Sequence, residues 1–250
     1  MKQKAFLKIL FALLVVIMVY SCKKSPVCDC FEVTGNQATD DRTSALAYFN
    51  QVVTYDDMNI FISIGPQEKV LISGGENLIR NISANATNGI LSLRNENNCN
   101  WLRSYKKSTI NIYITMPEVT YITNNGYGTI QSTDTIAADN LQVQTYSAGD
   151  IHLAVHCNSI NAHLFGSSDV TLSGTCGAFE CNFFAGTGFL YADHLATGYT
   201  YLTTSTTGDC YVNSNGGLDV VINKQGNIYY AGNPISINKK IHGAGQLIKE

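Results

Sequence analysis

Charged residues are scarce in this chain. Only 14% of its 250 residues are Asp, Glu, Lys or Arg, against roughly 25% in ordinary soluble domains, and the net charge is −3. Proteins that bind nucleic acid need clustered Lys and Arg to neutralise phosphates, so the composition argues against a nucleic-acid partner. Apolar residues make up 45% of the chain, which is enough for a sizeable core and too many for a disordered chain.

Basic residues are missing altogether from a long central stretch. No Lys or Arg occurs from Ser108 to Asn223, although this stretch contains nine acidic residues. Proline is rare as well, with four in the chain and none between Pro117 and Pro234. The first absence disfavours phosphate, sulfate and carboxylate ligands, which Arg and Lys recognise. The second suits stacked interior strands, whose N–H groups are all needed for pairing.

The N-terminal segment has the pattern of an export signal. Three lysines flank an uncharged run from Ile9 to Tyr20, which is too short for a membrane span. Cys22 follows a small residue, and this pair resembles the lipobox of bacterial lipoproteins. We therefore expect residues 1–21 to be a signal peptide and residues 22–44 to be a lipid anchor and polar tether. An ordinary signal peptide that is cut elsewhere is the alternative.

A glycine-containing turn recurs about every 20 residues in the second half of the chain. Between these turns apolar and polar residues alternate with period two, as they do in strands. One such unit cannot bury its apolar face alone, whereas stacked units pair strand on strand around a continuous core. The turns contain Gly126, Gly149, Gly166, Gly186, Gly208, Gly226 and Gly243.

This repeat predicts an all-β protein built as a single right-handed parallel β-helix with coils of about 20 residues. An antiparallel sandwich is the alternative, but it would require alternate strands to reverse. We expect one domain over residues 45–250, with wider capping coils at 45–123 and regular repeats at 124–250. On the second strand of each coil, the residues expected to face inward are Leu141, Val143, Ile160, Ala162, Phe179, Cys181, Tyr199, Tyr201, Leu218, Val220, Ile235 and Ile237.

Two segments and one turn carry a resemblance to a known family. The segments are Phe49 to Val53 and Asn88 to Leu93, and the turn has the form G-[SA]-[SG]-D-[IV], which Gly166 to Val170 fits in full. Over most of its length the chain resembles the head GIN domain family of Bacteroidetes lipoproteins, described as auto-transporter adhesin heads. The resemblance implies a parallel β-helix exported to the cell envelope, with adhesion as its role. Phe189, Asn227 and Gln246 stand where the turn would have its acid.

One outward column of the predicted coils is rich in tyrosine. Aromatic rings on a flat face can hold sugar rings, and polar neighbours can bind sugar hydroxyls. The alternative is that the tyrosines pack on one another and stabilise the sheet. Thr171 also lies in this column. The candidate ligand face consists of Tyr191, Tyr211, Tyr229, His152, Asp193 and Asn213.

Asp150 and Asp169 occupy the same turn position in successive coils, which makes them a weak candidate pair for Ca²⁺. Aspartates in turns more commonly accept hydrogen bonds from backbone N–H groups, so we expect this role, with no metal and no cofactor. His152 and His163 face outward from different strands and do not converge as zinc ligands do.

Cysteine usage fits an oxidising compartment, where pairing is allowed. Cys157 and Cys176 hold the same place in successive coils, about one strand spacing apart, and are a candidate disulfide. Cys181 and Cys210 occupy inward positions, so we expect them to be buried apolar residues. The cysteines outside the repeats, which could staple the tether to the cap, are Cys28, Cys30 and Cys99.

These observations predict a non-enzymatic module of the cell envelope, either adhesin-like or structural. We expect it to be held in the outer membrane by its lipid, facing the periplasm or the exterior, with a glycan or a cell-surface protein as candidate partner. The alternative is a carbohydrate-active β-helix enzyme, a polysaccharide lyase or hydrolase. Such a lyase typically pairs calcium-binding acids with a basic residue, and the stretch from Ser108 to Asn223 provides no Lys or Arg for this purpose.

Overall fold

The structure, a computed structural model, describes residues 34–98 and 109–250 of the chain. Strands make up 66% of it and helices 3%, so the protein is all-β. The strands wind into a β-solenoid of about seven turns with coils of about 19 residues, which confirms the predicted parallel β-helix. The expected signal peptide, Cys22 and the three cysteines outside the repeats lie outside the described residues.

Nine short strands form a cap at the N-terminal end of the described chain. A single 3-10 turn (Thr43–Ala45) and the four-residue helix α1 (Glu76–Ile79) accompany them. The strands are β1 (Gln37–Asp41), β2 (Phe49–Thr54), β3 (Asn59–Ile64), β4 (Lys69–Gly75), β5 (Ile82–Thr87), β6 (Gly89–Asn95), β7 (Asn111–Met116), β8 (Tyr121–Asn124) and β9 (Ile130–Ser132).

Parallel and antiparallel pairs are combined in this cap. β2 pairs in parallel with β6 and β8, and β3 pairs in parallel with β7 and β9. The pairs β1–β4, β4–β7 and β5–β6 are antiparallel. β1 therefore belongs to the cap, although residues 22–44 were expected to be tether throughout. Its sequence, QATDD, has no apolar alternation to mark it as a strand, and its pairing with β4 creates the strand instead.

Long strands that bend at the corners form the regular coils. Within the rod each pairs in parallel with the strands of the coils before and after it, and the strands of the last coil pair on one side. These strands are β10 (Ile136–Thr145), β11 (Ile151–Gly166), β12 (Val170–Gly186), β13 (Leu190–Thr206), β14 (Cys210–Ile222), β15 (Ile228–Ala231), β16 (Ser236–Ile241) and β17 (Leu247–Lys249).

Inward side chains form columns along the rod. In β11 every second residue from Ile151 to Cys157 is buried, and most of them pair with buried residues of β12. The alternation is broken between Cys157 and Ile160, where two consecutive residues are not buried. Because the columns continue through successive coils, the apolar side chains of the cap and of the coils form one continuous core.

The prediction that Tyr199 and Tyr201 face inward is wrong. They are 53% and 44% exposed, while Thr200 and Leu202 are buried in their place. The offset between paired residues of β12 and β13 rises from 20 to 21 after Thr171 and returns to 20 at Gly186. A shift of one residue turns every side chain of a strand to the opposite face, which explains the error.

The prediction that Ile235 faces inward in the last coil is wrong as well. Ile235 is 91% exposed and precedes β16. Ile237 pairs with the buried Leu218 and so keeps its place in an inward column, yet it is 42% exposed. Among the described strands β16 pairs with β14 alone, so no further coil covers this end of the column.

Corners bring neighbouring backbones closer together than a side chain allows. A Cβ atom added to Gly208 would lie 2.2 Å from the carbonyl oxygen of Gly188, and one added to Gly188 would lie 2.0 Å from that of Ser168. Backbone atoms cannot yield as the end of a flexible side chain can, so only glycine fits at these two positions. The recurring glycines of the sequence thus reflect a steric limit of the stack.

Replacing Gly208 by Ala should destabilise the rod, because the added methyl group must push two coils apart. We expect the free energy of unfolding to fall by about 3 kcal/mol, the upper end for overpacked sites. Urea unfolding followed by circular dichroism measures the change. In the control Gly74→Ala, the new Cβ first meets the side chain of Ile79 at 3.1 Å, and the loss should be smaller. Equal losses in the two variants would contradict the steric explanation.

Candidate functional site

The tyrosine column predicted from the sequence forms on the outside of the coils. Tyr191, Tyr211 and Tyr229 are direct register partners on β13, β14 and β15. Thr171 and His152 continue the column toward the cap on β12 and β11. The repeat therefore located these five positions correctly, one coil apart.

The three tyrosine rings of this column stack on one another. Ring centroids are 5.5 Å apart for Tyr191 and Tyr211 and 4.9 Å apart for Tyr211 and Tyr229, with planes inclined by 11° in both pairs. Phe189 stacks on Tyr191 at 6.0 Å. Each such pair stabilises the fold by about 0.5–1.5 kcal/mol beyond its burial. Ring faces inside the stack are covered, so a ligand could reach only ring edges and hydroxyl groups there.

The hydroxyls of Tyr191 and Tyr211 keep their protons at neutral pH. Burial raises the pKa of Tyr191 and Tyr211, and the carboxylates of Asp169 and Asp209 raise the pKa of Tyr191 further. Asp209 also acts on Tyr211. These two residues therefore present neutral hydroxyl groups that can donate or accept hydrogen bonds.

Asp193 and Asn213, two polar members of the candidate face, lie on neighbouring coils. The Asn213 side chain donates from Nδ2 to the backbone carbonyl oxygen of Asp193 at 3.2 Å. The Asp193 carboxylate lies 3.6 Å from Nε2 of His194, which is exposed. Asn213 therefore ties one coil to the next, while the Asp193 carboxylate lies at the surface beside an imidazole.

Aspartates at the corners bond to the following coil. In each case a side-chain oxygen accepts a hydrogen bond from the backbone N–H of the residue at the same corner one coil later. Asn227 replaces the acid at one corner and makes the same bond, so no negative charge is needed. The bonds run from Asp169 N–H to Asp150 (2.9 Å), from Phe189 N–H to Asp169 (2.9 Å), from Asn227 N–H to Asp209 (2.7 Å) and from Gln246 N–H to Asn227 (2.9 Å).

These bonds engage the proposed calcium ligands Asp150 and Asp169 in capping, as the sequence analysis preferred. Within residues 34–98 and 109–250, no group of three His, Cys, Asp or Glu side chains could hold a metal ion. The Ca²⁺ pair stays a prediction, and the variants described below address it.

Cys157 and Cys176 are register partners on β11 and β12, and both are buried free thiols. Burial raises the pKa of Cys157 and raises the pKa of Cys176 to about 11, so both thiols are protonated at neutral pH. Cys181 and Cys210 are also buried free thiols, at the inward positions expected. The disulfide between Cys157 and Cys176 stays a prediction.

The structure contains a second aromatic column, which the sequence analysis did not predict. Tyr146 stacks on Phe165 at 5.1 Å, and Phe165 stacks on Phe184 at 4.5 Å. His163 meets the Phe184 ring edge-on at 5.5 Å, and Tyr146 and Phe184 are exposed. The three aromatic residues are each 19 apart in the sequence, a spacing that could have revealed the column.

Two shallow grooves open on the face formed by β2, β8, β16 and the last parts of β10 to β14. Sequence reasoning missed both, and for the distal groove the reason is that it placed Tyr201 in the core. The distal groove, of about 560 Å³, is lined by Glu180, Asn182, Tyr201, Asp219, Asn238 and Lys240 among others. The cap-side groove, of about 500 Å³, is lined by Gln51, Glu118, Thr120, Tyr121, Asp139, Asn140 and Gln142.

The model of a known family matches most of this chain. Residues 48–234 match the family model "Putative auto-transporter adhesin, head GIN domain", and the chain belongs to this family. The match covers the cap strands from β2 onward and most of the regular coils. The family is of the adhesin type, which indicates a secreted or surface protein that binds surface partners.

Solved structures with the same fold come from Bacteroides and Parabacteroides species. A "putative adhesin" from Bacteroides fragilis is similar with a TM-score of 0.78 and 22% identity, over 86% of this chain and 97% of that one. A "putative adhesin" from Parabacteroides distasonis gives 0.64 and 13%, over 86% and 98%. A "putative lipid binding protein" from the same species gives 0.60 and 17%, over 86% and 97%. At these identities the similarity shows the fold alone.

No curated protein sequence is similar enough to this chain to count as a match. In the part of the chain that the structure describes, no helix is long and apolar enough to cross a membrane.

Removing the corner carboxylate of Asp169 should destabilise the stack. In Asp169→Ala the N–H of Phe189 loses its acceptor, and we expect a loss of about 1 kcal/mol, the lower end for an unsatisfied donor. Asp169→Asn should keep most of the stability, since Asn227 already makes this bond. Thermal unfolding with added Ca²⁺ or with a chelator supplies the control. A wild-type midpoint that rises with Ca²⁺, and does not rise in Asp169→Asn, would contradict capping as the sole role.

Peptide mapping checks the predicted disulfide. The cysteines of the exported protein are alkylated with and without prior reduction. The protein is then digested, and the masses of its peptides are measured by mass spectrometry. We expect the Cys157 and Cys176 peptides to be joined before reduction, and Cys181 and Cys210 to be free. In the control Cys157→Ser, Cys176 should become free as well. Alkylation of all four residues after unfolding without reduction would contradict the bridge.

Proposed function

We propose that the mature protein is a lipoprotein of the outer membrane, anchored through Cys22, whose β-helix is a non-enzymatic binding module of the adhesin type. Its ligand is a glycan or a protein on a cell surface. Family membership over residues 48–234 is the observation that carries this proposal. The rod supports it, because side chains repeated once per coil offer a regular surface to an extended partner.

The tyrosine column is the first candidate contact surface of this module. Stacking covers the ring faces of Tyr191, Tyr211 and Tyr229, so a ligand would contact their edges and hydroxyls. Further contacts would come from His152, Asp193 and Asn213, the other members of the candidate face.

An enzymatic role is the weaker reading. The coils from Ser108 to Asn223 have no Lys or Arg that could abstract a proton from a polysaccharide. The aspartates that repeat along the corners are engaged by backbone N–H groups. A carbohydrate-active enzyme therefore has little to support it in these coils.

The purified chain should retain glycans or host cells without altering them. A glycan array and a cell-binding assay measure retention, and an assay for new reducing or unsaturated ends measures cleavage. Tyr191→Phe, Tyr211→Phe and Tyr229→Phe combined should keep the stack and weaken binding if the hydroxyls are contacts. Bond cleavage would contradict a non-enzymatic role, and unchanged binding by the triple variant would remove the tyrosines from the ligand face.

The proposed lipid anchor is tested in bacteria that express the full chain. In Cys22→Ala the chain should leave the membrane, so the bacteria lose binding while the purified variant keeps it. Retention of Cys22→Ala in the membrane would contradict lipidation at this residue.

A further inference from the structure

One outward column on the grooved face is polar from the cap to the last coil. The pairing register places its members one above another on β2, β8, β10, β11, β12, β13, β14 and β16. None of the eight is aliphatic, and two are tyrosines. This polar column consists of Gln51, Tyr121, Gln142, Asn161, Glu180, Tyr201, Asp219 and Asn238.

Both grooves lie on this polar column, and their linings are alike. The distal groove places Tyr201 between the carboxylates of Glu180 and Asp219 on the neighbouring coils. In the cap-side groove, Tyr121 is accompanied by the carboxylates of Glu118 and Asp139. Each groove also contains carboxamide side chains. The combination of a tyrosine, two carboxylates and carboxamides therefore occurs twice on one face of the rod. The grooves differ in that the distal one also has two lysines, and in that the Tyr121 hydroxyl donates to Oε1 of Gln144 at 2.8 Å.

Tyr201 differs from the stacked tyrosines in having uncovered surfaces. Its neighbours in the column are acids, and within residues 34–98 and 109–250 its ring stacks on no other ring and its hydroxyl forms no hydrogen bond. The side chain is 44% exposed in the groove. A ring face and a hydroxyl are thus both available to a ligand.

Amide groups hold the acids beside Tyr201 in place. Glu180 accepts a hydrogen bond from Asn182 at 3.3 Å, and Asp219 accepts one from Asn238 at 2.7 Å. In the described part of the chain neither acid forms an ion pair, so each has acceptor capacity left for a ligand. Preorganised acceptors reduce the entropy that a ligand must lose on binding.

The distal groove has no net charge, because the carboxylates of Glu180 and Asp219 are matched by the ammonium groups of Lys239 and Lys240. It therefore offers no net attraction to an ion of either sign. A sugar has the complementary chemistry: hydroxyl donors for the carboxylates, hydroxyl acceptors for the amides, and an apolar C–H face for the tyrosine ring. The lining therefore suits a neutral, polyhydroxylated ligand.

The spacing of the column suits a chain of such sugars. Coils follow one another at about 4.8 Å, close to the length of one sugar residue in an extended polysaccharide. Tyr121 and Tyr201 are four coils apart in the column, or about 19 Å. We propose that the polar column binds an extended neutral glycan lying along the rod, with Tyr201 and Tyr121 as its two platforms. This proposal rests on the proposed function and names the ligand class and the surface.

Tyr201→Ala tests the platform in the full mature chain, with neutral oligosaccharides and polysaccharides as probes in calorimetry and on the array. We expect the Kd for neutral glycans to rise at least about tenfold, as for a central aromatic contact. Tyr199→Ala is the matched control. Tyr199 lies two residues away on β13, is 53% exposed and does not line the groove, so Kd should change by less than about twofold. Thermal unfolding confirms that both variants are folded.

Ligand length tests the second platform. Affinity should increase with oligosaccharide length until the chain reaches both grooves, and Tyr121→Ala should weaken only the long ligands. Because the ligand is neutral, added salt should change Kd little. Affinity that no longer increases beyond one or two sugars would overturn the extended mode.

Failure of this proposal can be told from failure of the proposed function. If the wild type binds glycans or cells and Tyr201→Ala binds equally well, the polar column is wrong and the binding module stands. Loss of binding only in the tyrosine-column variant, or binding only to charged glycans, overturns the polar column in the same way. If the wild type binds neither glycans nor cells, both proposals fail.

Discussion

Backbone hydrogen bonds between successive coils fix where every side chain of the rod lies. Because the strands are parallel, with offsets of 17 to 21 residues, each residue lies over its counterpart in the next coil. That counterpart is about 4.8 Å away, so the side chains at the same position of successive coils must be compatible with one another. Tyrosines stack, apolar side chains pack and amides bond to acids, whereas rows of like charge would repel. The low charge of the sequence follows from this constraint.

The architecture could be predicted because the same constraint leaves a period in the sequence. Glycine recurs where backbones approach most closely, as at Gly188 and Gly208, and apolar alternation between turns marks the strands. The cap could not be predicted in this way. β1 is a strand because β4 offers it an edge, and nothing in QATDD signals that partner.

The candidate sites likewise differ in how much of them the period of the sequence reveals. Tyr191, Tyr211 and Tyr229 could be aligned from the sequence, since each stands three residues after a glycine of the recurring turn. Stacking within the column, and the grooves beside Tyr121 and Tyr201, depend on ring orientation and on how adjacent strands curve. These are properties of the packed structure. For Tyr201 the sequence did not even reveal whether the side chain faces inward or outward, because periodicity cannot locate one extra residue within a bend.

That extra residue has a consequence for how such rods diverge. The offset of 21 between β12 and β13 is confined to one side of one coil, and the coil returns to the common offset at Gly186. The inward places are filled by Thr200 and Leu202, so the core remains packed while Tyr199 and Tyr201 are brought to the surface. One residue gained at a bend and one lost at the next can thus exchange buried for displayed residues while the core stays packed. The residues exposed on the surface can change in this way while the core of the rod stays packed.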